Sequence, residues 1–172
     1  IFDLLPYKEI SPGEVEGVAA NSSISKKFLY KVIFKVNQCF RPKNPNKAFD
    51  RQEYNIHGAK KYETALGSCF KHLTLLIHCN YWEEKYPRVM PIDVCRKMWA
   101  DTRKPRLKVI GDISCDIGGS IECTVKSTYP GNPVYVYNPD SGKATDGFEG
   151  YGPVIMAVDI LPAEIPRESS TQ

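Results

Sequence analysis

Three short apolar runs, each ended by polar residues, organise the second half of the chain. They cover residues 72–79, 106–111 and 153–158. Their length and β-branched content are typical of buried strands. An amphipathic segment from Pro91 to Trp99 lies between the first two and predicts a helix. Strand, helix and strand form a βαβ unit, so the first two strands are predicted to be parallel. The first run is almost wholly apolar, which predicts that both of its faces are covered.

The first half of the chain has a weaker pattern. A short strand is predicted at residues 7–10, and the aromatic and β-branched run 28–36 predicts a longer one. Tyr54, Tyr62, Leu66 and Phe70 recur at roughly helical spacing, which predicts a helix from about Ala59 onward. Residues 133–137 alternate between the two faces of a further strand. The whole pattern predicts an α/β fold.

Length and composition fit one globular unit. The chain has 172 residues, of which 42% are apolar, and a net charge of +3. This slight basic excess gives no reason to expect a nucleic-acid partner. No apolar run reaches the length of a membrane span, so we expect a soluble protein without a membrane partner. Six cysteines without a Cys-x-x-Cys pair predict free thiols in a reducing compartment such as the cytoplasm. A start at Ile1 without an initiator methionine predicts a fragment of a longer protein.

The second apolar run leads into the most informative stretch, Asp112-Ile-Ser-Cys-Asp-Ile-Gly-Gly-Ser-Ile-Glu122. Ligands of open α/β sheets bind at the carboxyl ends of strands, so Asp112 and Asp116 beside two glycines predict a ligand-binding loop. The alternative is an ordinary turn with solvated aspartates. A calcium-binding EF-hand loop starting at Asp112 is excluded, because Ile117 and Cys123 occupy the positions that require glycine and glutamate. No metal site is predicted.

Other polar segments have two interpretations each. The aromatic stretch 80–87 is either a wall of a cofactor cleft or a lid packed on the core. Glu9 ends a predicted strand and can accept hydrogen bonds from a ribose, or it is a plain surface residue. The basic loop 41–47 can attract a phosphate, an acidic substrate or, as a weaker hypothesis, nucleic acid, although its prolines and asparagines are typical of a solvated connection. The three histidines show no catalytic partner in the sequence and receive no role.

Three of these strand ends together resemble a known family. They are Cys79-Asn-Tyr-Trp-Glu83, the stretch Gly111 to Glu122, and Ala157-Val-Asp-Ile-Leu-Pro-Ala-Glu-Ile-Pro-Arg-Glu-Ser169. In this order they resemble the alanine dehydrogenase and pyridine nucleotide transhydrogenase superfamily, most closely its lysine-ketoglutarate reductase/saccharopine dehydrogenase branch. The resemblance covers essentially the whole chain, and its central stretch is the most specific part.

The resemblance implies a Rossmann-like three-layer domain with a mostly parallel sheet that lacks its first βα unit. Residues 1–172 would form a single partial NAD(P)-binding domain. It implies an NAD(P)-dependent oxidoreductase in which lysine and 2-oxoglutarate condense to an imine that accepts hydride from the nicotinamide. NAD and NADP both remain open, because Glu9 favours a ribose hydroxyl whereas Lys26 or Lys27 would meet a phosphate. A non-catalytic module that binds a nucleotide or a protein is the alternative.

The family pattern also implies roles for single residues. Asp116 would accept hydrogen bonds from the nicotinamide ribose and help orient a catalytic proton donor. The remaining expected cofactor contacts are Asn80 and Tyr81 near the diphosphate and ribose, Ile113, Ser114 and Cys115 along the nicotinamide ribose, and Val158, Asp159, Ile160 and Leu161 beneath the nicotinamide ring.

The sequence departs from the family at the phosphate site. A Gly-x-Gly-x-x-Gly turn after a strand is absent, since the nearest approach, Gly147-Phe-Glu-Gly-Tyr-Gly152, precedes a strand. In the family this turn comes just before the position of Ile1, and the catalytic histidine and lysine belong to an upstream substrate domain. We therefore expect that domain as a partner within the same protein, beside the amino-acid and 2-oxo-acid substrates. Homo-oligomerisation is left open, and the mitochondrial matrix is the alternative to the cytoplasm.

Overall fold

The computed structural model describes residues 4–101 and 104–159. Within these ranges short strands alternate with helices. The strands are β1 (Tyr7–Glu9), β2 (Leu29–Lys31), β3 (Phe40–Pro42), β4 (Tyr62–Thr64), β5 (Leu75–His78), β6 (Val109–Asp112), β7 (Val134–Tyr137), β8 (Ala144–Asp146) and β9 (Val154–Met156). The α-helices are α1 (Val15–Ala20), α2 (Val36–Cys39), α3 (Arg51–His57) and α4 (Ile92–Asp101), and 3-10 helices cover Pro12–Glu14, Gly58–Lys60 and Phe70–His72.

A five-stranded sheet in the order β5-β6-β9-β7-β8 forms the centre of the fold. Strands β5, β6 and β9 are parallel, while β7 runs antiparallel to both β9 and β8. Helix α4 connects β5 to β6, as the βαβ pattern predicts. The α/β class is therefore confirmed and is consistent with a Rossmann-like three-layer domain. The sheet is mixed, because only β5, β6 and β9, the strands of the three apolar runs, are parallel to one another.

The turn between β7 and β8 explains why the chain reverses there. The side chain of Asn138 accepts hydrogen bonds from the backbone N–H groups of Asp140 and Ser141, both at 3.0 Å. Gly142 then adopts a positive φ of 70°, which glycine tolerates without a steric cost. These residues turn the chain within a few positions, so β8 pairs antiparallel to β7.

One face of the central sheet carries the core. Residues aligned across the strands share a face, and Leu76, Ile110, Ile155 and Tyr135 are aligned in this way and buried. They belong to one core cluster with Cys95, Met98 and Trp99 of α4. The opposite face is less covered, since Leu75 and Ile77 are 40% and 36% exposed. The prediction that both faces of β5 are buried is thus wrong for the described residues.

Two predictions in the first half of the chain are corrected. The long strand predicted at 28–36 is only three residues long, and Val36 already begins α2. The helix predicted from Ala59 lies earlier, at Arg51–His57, where the Asp50 side chain caps it by accepting a 2.6 Å hydrogen bond from the N–H of Glu53. Gly58, with a φ of 44°, follows the end of α3.

The aromatic spacing that predicted the later helix has a tertiary cause. Tyr54 of α3 and Tyr62 of β4 meet edge to face, with ring centroids 5.4 Å apart. The two residues belong to different elements, so their spacing along the chain reflects packing of a helix on a strand. Strands β3 and β4 form a separate antiparallel pair, and β1 and β2 a separate parallel pair. No helix in the described part of the chain is long and apolar enough to cross a membrane.

Candidate functional site

Three loops meet at the carboxyl ends of the parallel strands β5, β6 and β9. The register pairs His78 with Asp112, and the backbone N–H of Ile113 donates a 2.8 Å hydrogen bond to the carbonyl of His78. The loops that leave β5 and β6 therefore start side by side. Ligands of open α/β sheets bind at this edge, because the loops diverge there and leave a crevice.

Charged groups from different loops act on one another at this edge, which indicates that several of the predicted cofactor residues lie near each other there. Burial, followed by the charges of Asp112, Asp159 and Asp116, raises the pKa of Cys115 to about 11. The hydrogen bond to Glu83 is the main cause of the raised pKa of Tyr81, and the charge of Asp116 adds to it. The loops after β5, β6 and β9 thus contribute Tyr81, Asp116 and Asp159 to one region.

Asp112 is the buried centre of this edge. Its side chain is fully inaccessible to solvent. One carboxylate oxygen accepts a 2.7 Å hydrogen bond from the Ser114 hydroxyl and lies 3.1 Å from Nδ1 of His78. The other accepts a 2.6 Å hydrogen bond from the Thr124 hydroxyl. The alternative of a turn with solvated aspartates is therefore wrong for Asp112, which holds two strands and their loops together.

This hydrogen-bond network determines the protonation state of Asp112 and the orientation of the His78 ring. Burial alone would raise the pKa of Asp112, but the hydrogen bonds from His78, Thr124 and Ser114 outweigh it, so the pKa lies below its ordinary value. An ionised carboxylate only accepts hydrogen bonds, so Nδ1 of His78, which faces Asp112, carries a proton. The other ring nitrogen, Nε2, is buried and has no hydrogen-bond partner among the described residues.

The backbone of the loop after β6 is shaped by unusual conformations. Cys115 has a positive φ of 54°, which is uncommon for a residue with a side chain. Its thiol lies 3.3 Å from the carbonyl of Asp112, which it can contact as a weak donor. A Cβ on Gly119 would lie 2.4 Å from the Cβ of Asp116, so only glycine fits there without a shift. The Gly118-Gly119 pair therefore lets the loop fold back closely on Asp116.

Arg88 links the loops that follow β5 and β6. Its guanidinium donates hydrogen bonds to the carbonyls of Gly119 and Gly118, at 3.0 and 2.9 Å. The same group lies over the ring of Trp82, 5.1 Å from the ring centroid. Arginine suits this position because its planar fork serves two acceptors and an aromatic face at once. Sequence reasoning missed Arg88, since nothing in its local pattern marks its partners thirty residues away.

The predicted cofactor residues fall into three groups. Asn80, Tyr81 and Ile113 are exposed at this edge, whereas Ser114, Cys115 and Asp116 are partly buried in the loop after β6. At the end of β9, Val158 is buried and Asp159 is exposed, and Ile160 and Leu161 lie outside the described residues. Glu9 ends β1 and is exposed, and no hydrogen bond or ion pair among the described residues connects it with these loops.

The side chains that this edge offers to a ligand are mainly polar. Within residues 4–101 and 104–159 no group of three histidine, cysteine, aspartate or glutamate side chains is placed to hold a metal ion. All six cysteines are free thiols. The exposed groups of Asn80 and Asp159, together with partly buried Asp116, can accept or donate hydrogen bonds to a polar ligand, while Ile113 offers an apolar contact.

No protein-family model matches the sequence of this chain. It is 32% identical over 182 residues to an alpha-aminoadipic semialdehyde synthase of Arabidopsis thaliana, in an alignment that includes 99% of this chain. Identity to the mitochondrial alpha-aminoadipic semialdehyde synthase of Bos taurus is 28% over the same length and share. The chain is homologous to one segment of these synthases. The match confirms the resemblance to the lysine-ketoglutarate reductase/saccharopine dehydrogenase branch.

This chain is much shorter than these relatives. It spans 17% of the Arabidopsis protein and 19% of the Bos taurus protein. A third relative, the saccharopine dehydrogenase [NAD(+), L-lysine-forming] of Emericella nidulans, is 30% identical over 120 residues, which are 63% of this chain and 28% of that protein. The relatives therefore include a dehydrogenase, and most of each relative lies outside the homologous segment.

Proposed function

We propose that residues 1–172 form part of the nicotinamide-dinucleotide site of a longer amino-acid oxidoreductase of the lysine-ketoglutarate reductase/saccharopine dehydrogenase type. The observation that carries this proposal is the convergence of three loops at the carboxyl ends of β5, β6 and β9. These loops hold the residues that the family pattern relates to the cofactor. The name of the Emericella relative supports an NAD-type cofactor, with NADP as the alternative.

The chemistry of the edge suits the ribose and nicotinamide parts of a dinucleotide. Asp116 and Asn80 offer an acceptor and an amide for ribose hydroxyls, and exposed Ile113 offers an apolar surface to a ring. His78 Nε2 is a further buried polar atom at this edge without a partner among the described residues. When bound, the nicotinamide would supply the hydride that reduces an imine carbon. The task of this chain would be to hold that ring in a fixed orientation.

A strand-helix unit from outside residues 1–172 would complete the domain. Strand β5 lies at one edge of the central sheet. It pairs with β6 on one side, and no described strand pairs with its other side. The sheet face beside this edge exposes Leu75 and Ile77. A parallel strand followed by a helix would cover both features, and the helix N-terminus would bind the diphosphate. We propose that this unit carries the glycine-rich turn that is absent from residues 1–172.

Substitution of Leu75 tests this docking. In the full-length protein, Leu75→Ala is expected to lower the free energy of unfolding by about 2 kcal/mol or more, because a covering helix would make Leu75 a core residue. Urea denaturation followed by circular dichroism measures the change. The matched control is Ile56→Ala on α3, where the side chain is 73% exposed. It should change stability by no more than about 0.5 kcal/mol. Equal, small effects of the two substitutions would show that the face stays open.

The remaining parts of the proposal concern the whole protein. Its substrates would be an amino acid such as lysine and a 2-oxo acid such as 2-oxoglutarate. The catalytic histidine and lysine would come from a substrate domain elsewhere in the same protein. The Bos taurus relative is named as mitochondrial, which favours the mitochondrial matrix over the cytoplasm as the location.

Asp116→Ala tests the function directly. In a coupled assay of the full-length protein with lysine, 2-oxoglutarate and reduced cofactor, we expect kcat/KM to fall roughly 10- to 100-fold. This range follows from the loss of a hydrogen bond to a charged group, about 1.5–3 kcal/mol. The control is Asp140→Ala, an exposed aspartate in the turn between β7 and β8. Full turnover and unchanged cofactor affinity in Asp116→Ala would remove Asp116 from the site. A wild-type protein that binds cofactor without turnover would favour a non-catalytic nucleotide-binding module.

A further inference from the structure

Arg88 lies between the two loops that carry most of the predicted cofactor residues. It belongs to the loop after β5, which contains Asn80 and Tyr81, and it contacts the loop after β6, which contains Asp116. The two loops leave the sheet side by side, because the ends of β5 and β6 are in register. Beyond the strand ends, their relative position depends on contacts between the loops themselves. Arg88 supplies such contacts next to Asp116.

Asp116 is the first residue of a tight turn. The N–H of Gly119 donates a 2.8 Å hydrogen bond to the carbonyl of Asp116, which closes a four-residue β-turn. Gly118, at the third position of this turn, has a φ of 66°, which glycine adopts without a steric cost. The N–H of Gly118 donates a 2.8 Å hydrogen bond to the carbonyl of Thr124. The position of the Asp116 backbone therefore depends on the two glycines that end the turn.

Arg88 binds the carbonyls of both glycines. Its Nε donates a 3.0 Å hydrogen bond to Gly119, and a terminal nitrogen donates a 2.9 Å hydrogen bond to Gly118. The guanidinium also lies over the ring of Trp82, 5.1 Å from the ring centroid. The indole N–H of Trp82 donates a 3.2 Å hydrogen bond to the carbonyl of Tyr86, which fixes the ring. The turn is thus held against an aromatic side chain of the loop after β5.

The surroundings of Arg88 indicate that it acts on the loop and not on a ligand. Two of its nitrogens already donate to backbone carbonyls. The carboxylate of Glu122 lies 3.8 Å from Nε and offsets the positive charge. The other oxygen of this carboxylate accepts a 2.7 Å hydrogen bond from the N–H of Ile92 at the start of α4, so Glu122 is itself fixed. A guanidinium with these partners has little capacity left for the phosphate of a cofactor.

We propose that Arg88 is a positioning residue for cofactor binding. It holds the turn that begins at Asp116 in a fixed position against the loop of Asn80, and it does not itself contact the cofactor. The inference rests on the proposed function, which assigns cofactor contacts to these two loops. Arginine is required because one planar group serves two carbonyls with its edge and the Trp82 ring with its face. Lysine keeps the charge but has neither the fork nor the plane.

Hydrogen–deuterium exchange of the full-length protein tests the holding of the turn separately from cofactor binding. The N–H groups of Gly118 and Gly119 are hydrogen-bonded, so their exchange reports opening of the turn. In Arg88→Ala, exchange in residues 113–120 is expected to be about 10- to 100-fold faster, because hydrogen bonds from a charged group are lost. Exchange in β7, at residues 134–137, should stay as in the wild type. Unchanged exchange at 113–120, or equal acceleration in β7, would overturn the inference.

Cofactor binding tests the consequence for function. Isothermal titration calorimetry with NADH and with NADPH is expected to show affinity about tenfold weaker in Arg88→Ala, because a small displacement of a binding group is costly. Arg88→Lys should recover only a small part of this affinity, since one ammonium cannot replace the fork. In the coupled assay, the KM values for lysine and 2-oxoglutarate should not change, because their proposed binding residues lie elsewhere in the protein. A general loss of structure would raise all of these constants together and contradict a positioning role.

Arg96→Ala is the matched control. Nε of Arg96 also donates a 3.0 Å hydrogen bond to a backbone carbonyl of another loop, that of Pro139. This contact lies at the opposite edge of the sheet, because β7 runs antiparallel to β9. The control should leave both the exchange at 113–120 and the cofactor affinity unchanged.

The outcomes separate this inference from the proposed function. If the wild type binds a dinucleotide and Arg88→Ala binds it equally well, the positioning role is overturned while the proposed function stands. If the wild type binds neither dinucleotide, the proposed function fails. Faster exchange at 113–120 in Arg88→Ala would in that case still support the holding of the turn by Arg88.

Discussion

Replacing Asp112 by alanine is expected to lower the free energy of unfolding by about 3 kcal/mol or more, because each buried hydrogen-bond donor left without its acceptor costs about 1–3 kcal/mol. Asp112 is fully buried and accepts hydrogen bonds from the hydroxyls of Ser114 and Thr124. Its loss leaves buried Nδ1 of His78, the buried Thr124 hydroxyl and the partly buried Ser114 hydroxyl without their acceptor. Urea denaturation near neutral pH measures the change. A loss below about 1 kcal/mol would show that the network is not a structural centre.

The same hydrogen-bond network predicts that the free energy of unfolding depends on pH in the acid range. The pKa of Asp112 in the folded protein is lower than its ordinary value of 3.8, because hydrogen bonds from His78, Thr124 and Ser114 outweigh the opposing effect of burial. Ionised Asp112 therefore stabilises the fold fully above the ordinary pKa. This contribution is lost as the pH falls from there through the lower pKa of the folded state.

The matched variant for this effect is Asp112→Asn, which keeps the shape of the side chain and removes its charge. We expect it to be less destabilising than Asp112→Ala near neutral pH, because the amide still has an acceptor oxygen. Its stability should fall less steeply with acid than that of the wild type. Parallel acid curves for the two proteins would contradict the assignment of the titration to Asp112, since the other acidic groups are common to both.

Gly152→Ala is the second substitution with a large expected effect, a loss of about 2–6 kcal/mol. Gly152 is buried just before β9 and has a φ of 141°. A Cβ there would lie 1.7 Å from the carbonyl oxygen of Tyr137 at the end of β7. Backbone strain of about 1–3 kcal/mol and overpacking of about 1–3 kcal/mol add in this position. Denaturation in urea measures the loss of stability.

Gly147→Ala separates the two causes. Gly147 also has a positive φ, of 93°, but a Cβ there would meet nothing within 4 Å. It should show the backbone strain alone, about 1–3 kcal/mol. Equal losses in the two variants would mean that the contact with Tyr137 relaxes without cost. A larger loss at Gly152 would show that β7 and β9 cannot separate to admit a methyl group.

The central β-strands and α4 could be predicted from the sequence because their signals are local. Apolar runs, helical spacing and turn residues determine which segments bury a face, whatever the rest of the chain does. The positions of β5, α4, β6, β7 and β9 agree with those signals to within a few residues. The turn at residues 138–142 agrees for the same reason, since Asn138 and Gly142 act on their immediate neighbours.

In the first half of the chain, local sequence patterns did not predict the elements correctly. The run 28–36 is rich in β-branched and aromatic residues, yet only Leu29–Lys31 pairs with another strand. A strand needs a partner for its backbone groups, and propensity does not supply one. Tyr54 and Tyr62 likewise had the spacing of a helix face but meet from a helix and a strand. Their contact depends on tertiary packing.

The sequence by itself determined that polar residues follow three apolar strands, and the order of those segments indicated the family. Tertiary structure decided what each polar residue does. Register places His78 beside Asp112 although 34 positions separate them, and this pairing buries one aspartate while Asp116 remains partly accessible. Arg88 connects with Gly118 and Gly119 in the same way, across 30 and 31 positions. Such contacts arise from strand pairing and chain crossover, which bring distant residues together, and a local pattern contains no information about them.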